Sequence, residues 1–343
     1  MPHRSRRLPA IPAAALALPV ALVLGLTGCT STDHLDEYNQ VTQGDARPAE
    51  SPAATRVTEG EQVRLDAPVR ALVASGDTVA VQYARGDRLV LGEVRGTRWT
   101  QRAAVTLPAG AGDATPGPDG SVLVPFPDGV VVVAADGGER RVTGTGPVSA
   151  AAVLPDGRLL TGTTEGVVTV RDADGTKRSE IPGLRSVDQL VTARDGSVSA
   201  LSRPDTVFAS IDPGSREAGP LLRAGKAGGR AAPLGAASAV VSDTTGDALL
   251  VYSTSPVRLN QMFPVPDAPW AVSDDPTRGV VWTTSTGTNR LLAYDLRDGE
   301  GTRRAELDTV RQPDSLAVTA SGTVVVGSAA EGVLHLVTPA LAG

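Results

Sequence analysis

From residue 57 onward the chain alternates short apolar runs with polar turn pairs. The stretches "SVLVPFPDGVVVVAADGGERRV", "RLLTGTTEGVVTVRDADGTKRSEI" and "TVVVGSAAEGVLHLVT" show the pattern. Val, Ile and Thr dominate the runs and Asp-Gly punctuates them, which predicts strands joined by tight turns. No stretch sustains a 3.6-residue apolar period, so no long helix is expected. Aligning one turn glycine per unit gives Gly76, Gly120, Gly157, Gly196, Gly235, Gly279 and Gly322, at intervals of 44, 37, 39, 39, 44 and 43 residues. Each unit reads as four strands, a to d. In the third unit these are expected over 148–153, 158–162, 166–171 and 176–181.

Four short strands repeated with a period near 40 residues are the pattern of a β-propeller blade, so the expected fold is all-β with seven blades. The last unit ends after strand c, and only "TPALAG" remains for an outer strand. "EQVRLDAPV" (61–69) reads like "RAELDTV" (304–310), where blade six ends, so residues 61–66 are expected to supply the outer strand of blade seven. That closes the ring and leaves no free edge between blades. Six blades with a separate β unit is the alternative.

The first 28 residues break the pattern. Arg4, Arg6 and Arg7 precede an apolar stretch from Leu8 to about Leu26, the layout of a secretory signal peptide. Pro9, Pro12 and Pro19 interrupt it and argue against a permanent membrane helix. It ends Leu26-Thr27-Gly28-Cys29, which resembles the bacterial lipobox, and Cys29 is the only cysteine in 343 residues. A lone thiol outside the cytoplasm is an oxidation liability unless it is modified. Lipidation of Cys29 by two or three acyl chains accounts for both its presence and its solitude, and such an anchor is stable. The expected division is a signal peptide over 1–28, a lipidated flexible tether over 29–55 and the propeller over 56–343. The expected location is the extracytoplasmic side of a cell membrane.

Charge narrows the partners. The chain carries a formal −6, and loss of three signal arginines gives −6 − 3 = −9. An acidic surface repels phosphate, so nucleic acid is not an expected partner. The partners expected are the membrane, through the anchor, and a protein or small-molecule ligand; the protein is expected to be monomeric. The Arg- and Ala-rich composition suits a GC-rich genome, such as an actinobacterial one.

Blades six and seven carry a family likeness. "DAPWAVSDDPTRGVVWTTSTGTNRLLAYDL" and "RQPDSLAVTASGTVVVGSAAEGVLHLV" resemble repeats of the NHL, YVTN and gluconolactonase-like propellers, with Pro before an apolar-Ala-Val strand, a Gly turn, and Asn289-Arg290-Leu291 opening strand c. Asp87-Arg88-Leu89 echoes that opening in blade one. The likeness is thin over blades four and five. It implies the fold; these propellers include enzymes, receptors and scaffolds, so it carries no function.

Candidate chemistry is sparse. His3 and His34 precede the repeat, and His335 sits on an expected strand c between Leu334 and Leu336, as an ordinary strand residue would. Zinc, copper and non-haem iron usually need several His or Cys ligands. No metal site or cofactor is expected, and no catalytic residue is assigned. The b–c turns carry a recurring polar residue: Asp87, Asp128, Glu165, Asp205, Asp247, Asn289 and Glu331. One reading is turn chemistry, since Asp, Asn and Glu shape such turns by side-chain hydrogen bonds. The other is an acidic face that attracts Ca²⁺ or a basic partner. Trp270, with Asp267, Asp188 and Asp314 at comparable starts of inner strands, marks a candidate pocket at the channel mouth, or Trp270 packs between blades. The expectation is a membrane-anchored binding or scaffold propeller using one face. The alternative is a Ca²⁺-dependent lactonase-like hydrolase, and a quinone-dependent dehydrogenase is a weaker third.

Overall fold

Seven four-stranded antiparallel sheets form the ring, the fourth with its outer strand split in two. The computed structural model describes residues 44–53, 57, 59–85, 87–297 and 299–341; Cys29 and the signal segment lie outside them. The third blade runs Ala150–Val153, Leu159–Gly162, Val168–Arg171 and Lys177–Ile181, within two residues of the sequence expectation. The seven aligned glycines lie in the left-handed region, with φ from 57° to 86°. Each turns strand a into strand b, and glycine enters that conformation without a Cβ penalty.

The ring closes as the sequence suggests. Glu61–Arg64 pairs antiparallel with Val333–Val337, in register from Glu61↔Leu336 to Arg64↔Val333. His335, on that strand, is fully buried. Its Nε2 lies 2.8 Å from the Glu59 carbonyl and its Nδ1 2.9 Å from Thr309 Oγ1. A carbonyl only accepts, so Nε2 carries the proton and Nδ1 accepts from the threonine. Burial lowers the imidazole's affinity for a second proton, opposed in part by Glu59. His335 thus fastens the closing segment.

Hydrogen bonds stitch consecutive blades near the axis. Gln82 Nε2 donates to Gly112 O (2.8 Å), Thr115 Oγ1 to Ala151 O (3.2 Å), Ser149 Oγ to Val187 O (2.6 Å) and Gln189 Nε2 to Ala231 O (2.7 Å). Ser242 Oγ donates to Trp270 O (2.8 Å) and Thr284 Oγ1 to Pro313 O (2.7 Å). Between blades seven and one, Ala320 N–H reaches Gly76 O at 2.9 Å and Thr323 Oγ1 reaches Gly96 O at 2.8 Å. Such bonds satisfy polar groups that burial would otherwise penalise. The apolar core lies between the sheets, with Trp282, Tyr252 and Phe208 fully buried.

The d–a connections and b–c turns share one face, here called the upper face; the a–b and c–d turns form the lower. Residues 44–53, assigned to the tether in the sequence reading, lie against the upper face. Ala46 is buried in the cluster that holds Trp270 and Val310. Thr286 Oγ1 accepts from Ala49 N (3.0 Å) and Ser51 Oγ donates to Thr286 O (2.6 Å). The Gln312 amide clamps the strap backbone, accepting from Ser51 N (3.1 Å) and donating to Ala49 O (3.0 Å). Asn289 Nδ2 donates to Pro52 O at 3.2 Å. Apart from the Ser51 hydroxyl and the small Ala46 side chain, the strap is held through its main chain, which explains why a Pro-, Ser- and Ala-rich segment without apolar periodicity gave no sign of docking. No helix among the described residues is long and apolar enough to cross a membrane.

Candidate functional site at the channel mouth

Inner strands begin at the upper face, and several begin with a bulge. The register slips between Val69 and Ala71, Gly228 and Ala231, and Pro313 and Ser315. A bulge leaves a residue out of the ladder and re-aims its side chain. Arg70, Arg230 and Asp314 occupy these slips. With Asp113 and Asp188 they put a charged residue at the start of the inner strand in five of the seven blades.

Asp113 joins three blades. It accepts from Arg70 Nε of blade one at 2.7 Å and from Arg230 Nη1 of blade five at 2.5 Å. Blades two and five are three steps apart, as far as a seven-membered ring allows, so Arg230 spans the mouth. Burial alone would raise the Asp113 carboxyl, but the two guanidiniums outweigh it and hold it well below the usual carboxylate range. Arg230 also lies over the Trp270 ring, 5.4 Å from its centroid, a cation–π geometry. Beside this bridge, Asp188 accepts from Ser186 Oγ (2.5 Å) and the Arg203 backbone N–H (2.9 Å), with Arg203 Nε 3.6 Å away. Burial, then the nearby Arg230 charge, lowers the Arg203 guanidinium.

Below the bridge the inner strands enclose an axial cavity of about 350 Å³, lined by Arg70, Gln189, Arg230, Ala271, Asp314 and Leu316 among others. At the lower end, Arg194 of blade four reaches Asp274 of blade six at 3.4 Å. Burial raises the Asp274 carboxyl.

Asp314 is pushed up to about 6 by burial, against a 2.9 Å hydrogen bond from Gln312 and the Arg230 charge. A carboxyl raised on folding holds its proton better in the folded state, so its folded-state advantage is present at pH 4 and is lost as pH rises through 6. Asp314→Asn is therefore expected to stabilise the ring at pH 7.5 by about 1–2 kcal/mol, allowing for partial exposure. The gain should vanish by pH 4. Denaturant melts of both proteins at the two pH values check this, and equal stability at pH 7.5 contradicts it.

The other sequence candidates separate. Trp270 is 2% exposed, and its Nε1 has no hydrogen-bond partner among the described residues. It packs between blades and does not line the cavity. Asp267 lies in the connection before it at φ 67°, 3.4 Å from Thr288 Oγ1. The b–c residues do not hold one equivalent position. The carbonyls of Asp87, Asp247 and Asn289 accept from the residue that follows strand d (2.8–3.0 Å), and that of Asp128 from Thr145, two residues past it (3.4 Å); in blades four and seven Thr206 and Gly332 accept from the residue after strand d, one residue after Asp205 and Glu331. Likewise Gly166, not Glu165, matches the left-handed Thr206, Asp247 and Asn289. Asp247 Oδ1 accepts from Ala268 N (2.9 Å), and the buried Asn289 accepts from Gln312 N (3.2 Å). Turn chemistry accounts for these two. Asp87, Asp128 and Glu165 are exposed on the upper rim, Glu331 is half-buried, and Asp205 faces Arg185 at 3.2 Å. Among the described residues no three His, Cys, Asp or Glu gather as a metal site, and an ion at Asp113 would have to displace Arg70 and Arg230.

Sequence reading passed over Arg70, Asp113, Arg203 and Arg230. For all but Arg203, which lies in a b–c turn, the visible signal was a charge set among small or apolar residues at the strand-a start of five blades: "PVRALV", "AGDATP", "SVDQLV", "GGRAAP" and "PDSLAV".

No protein-family model matches the chain, and no curated protein does. Solved structures do match. A chain of the mitotic checkpoint complex is 14% identical with a TM-score of 0.67, over 85% of this chain and 95% of that one. The WD40 β-propeller domain of Doa1 is 13% identical with a TM-score of 0.63, over 82% of this chain and 97% of the domain. At such identity the likeness is one of fold: the chain shares the seven-bladed β-propeller fold, as its seven sheets show.

Proposed function

We propose that this protein is a lipid-anchored, extracytoplasmic binding or scaffold propeller whose upper face recognises a protein partner. The observation that carries the reading is the Arg70–Asp113–Arg230 bridge. It spans the mouth, so recognition falls on the face around it and not deep in the channel. The same face carries the exposed rim acids Asp87, Asp128 and Glu165, which favour a partner with a basic surface. The structural neighbours are a chain of a mitotic checkpoint complex and the WD40 domain of Doa1, and a protein-interaction role fits the first of these. The lipobox-like end of the first 29 residues supports the anchor, and the pattern of blades six and seven supports an origin among NHL- and YVTN-like propellers.

Anchoring is tested by replacing Cys29→Ala. The wild-type protein is expected in the detergent phase of a cloud-point extraction, with acyl mass on its amino-terminal peptide; the variant is expected as unlipidated precursor. Acylation of the variant, or wild-type protein in the aqueous phase, contradicts the anchor.

A further inference from the structure

We propose that the axial cavity beneath the bridge binds a small primary amine, which enters from the lower face, sets its ammonium against the Asp314 carboxylate and lays a compact apolar body along the inner strands. This is a second site, apart from the upper-face reading: the bridge bars a protein from the channel, and a partner on the upper rim leaves the lower opening free. The wall comes first. In five of the seven blades the inner strand gives it an alanine: Ala71, Ala114, Ala151, Ala231 and Ala271. Small side chains leave the axis unfilled where larger ones would close it. The space left is about 350 Å³, within the range of small-molecule pockets, about 300–1,000 Å³. From Asp314 to Val318, both in the wall, there are 318 − 314 = 4 steps of strand, a depth of about 13 Å. The exposed Pro116, Arg194 and Pro233 line the lower end, so the cavity opens on that face, while the Arg70–Asp113–Arg230 bridge covers the other.

Asp314 supplies the chemistry. Its bulge sets it in the wall at the upper end of this space. The charged groups around it are already paired: Arg70 and Arg230 hold Asp113, Arg194 holds Asp274, and Arg203 lies beside Asp188. Among the described residues Asp314 makes no ion pair, and its carboxyl takes a 2.9 Å hydrogen bond from the neutral Gln312 amide. The Arg230 charge reaches it, but burial outweighs that charge and leaves the carboxyl raised. The cavity is therefore short of positive charge at this point. A part-buried carboxylate without a cation costs stability, and an ammonium set on it would form a charge-assisted hydrogen bond. The wall below Asp314 is mostly methyl and methylene groups, from the alanines and from Val73 and Leu316. Further charges or donors on the ligand would go unpaired there, so one ammonium on an apolar body is the chemistry that fits.

The test is calorimetric titration of the full chain at pH 7.5, where a carboxyl raised to about 6 is ionised. The probes are 2-phenylethylamine and its neutral match, 2-phenylethanol. Wild type is expected to bind the amine at least about tenfold more tightly than the alcohol, the scale of one hydrogen bond to a charged group. Asp314→Asn keeps an acceptor for Gln312 and is expected to fold. It should bring the amine down to the affinity of the alcohol and leave the alcohol's affinity unchanged. Thr192→Phe, at a half-buried wall position nearer the lower opening, should fill the shaft and weaken both ligands by at least about tenfold; its melting temperature reports whether it folds. Four results overturn the inference: no amine binding by wild type, equal affinity for amine and alcohol, an Asp314→Asn protein that keeps the preference, or a folded Thr192→Phe protein that binds both as wild type does. Amine binding is measured without any protein partner, so loss of the upper-face reading leaves this result standing.

Discussion

Deleting residues 59–66 is expected to lower the unfolding transition of the ring substantially. The deletion removes the four-residue partner of Val333–Val337 and the Glu59 carbonyl that holds His335. Leu334 and Leu336, now fully buried, would sit on an open edge, and the imidazole would lose its acceptor. Lost backbone pairing, exposed leucines and an unsatisfied buried ring together cost about 5 kcal/mol. For a domain of this size that corresponds to a fall of about 10 °C or more in melting temperature. The effect should exceed that of any single surface substitution, because the cut opens a circle in which each blade supports its neighbours. Scanning calorimetry of the deletion beside the intact protein reads it. Equal melting of the two would contradict closure by this strand.

Asp275 should give the largest effect of a single substitution. It is 1% exposed and accepts from Trp282 Nε1 at 3.1 Å and from Arg278 Nη1 at 2.8 Å. Arg278 in turn donates to Gly322 O of blade seven at 2.7 Å, so the carboxylate links the core of blade six to the next blade. Asp275→Ala strands a buried indole N–H and a guanidinium, an expected loss of about 3–5 kcal/mol. Asp275→Asn keeps an acceptor for the indole and should lose about half of that. Chemical denaturation of the three proteins orders them, and an alanine variant within 1 kcal/mol of wild type, on the order of an ordinary surface change, would refute this role.

The repeat was legible because its turns need glycine. A left-handed residue between strands a and b is cheap only without a Cβ, so seven glycines mark seven blades. The closing strand was legible because residues 61–69 repeat the end of blade six. The b–c pattern was legible only in part: Asp and Asn tolerate the left-handed turn, but so do Gly166 and Thr206, so the acids drift by one residue between blades. The mouth cluster was hidden for a different reason. Arg230 and Asp113 are 117 residues apart, and their meeting depends on bulges and on ring geometry that no local pattern encodes. The strap was hidden because most of its contacts join its main-chain atoms to the side chains of Gln312, Thr286 and Asn289, with only Ser51 and Ala46 contributing side chains of their own.

The most direct test of recognition by the upper face compares the two faces in one capture experiment. The anchored protein is crosslinked in intact cells, the membranes are solubilised, and the bound proteins are quantified for three forms. These are wild type, a rim variant with Asp87→Asn, Asp128→Asn and Glu165→Gln, and a lower-face control with Asp136→Asn and Asp156→Asn. The expected result is one protein with a basic surface, retained by wild type and control, weakened by salt, and reduced at least about tenfold by the rim variant, the scale of 1.4 kcal/mol. Capture that is the same for all three forms, or lost only in the lower-face control, would contradict an upper-face binding role.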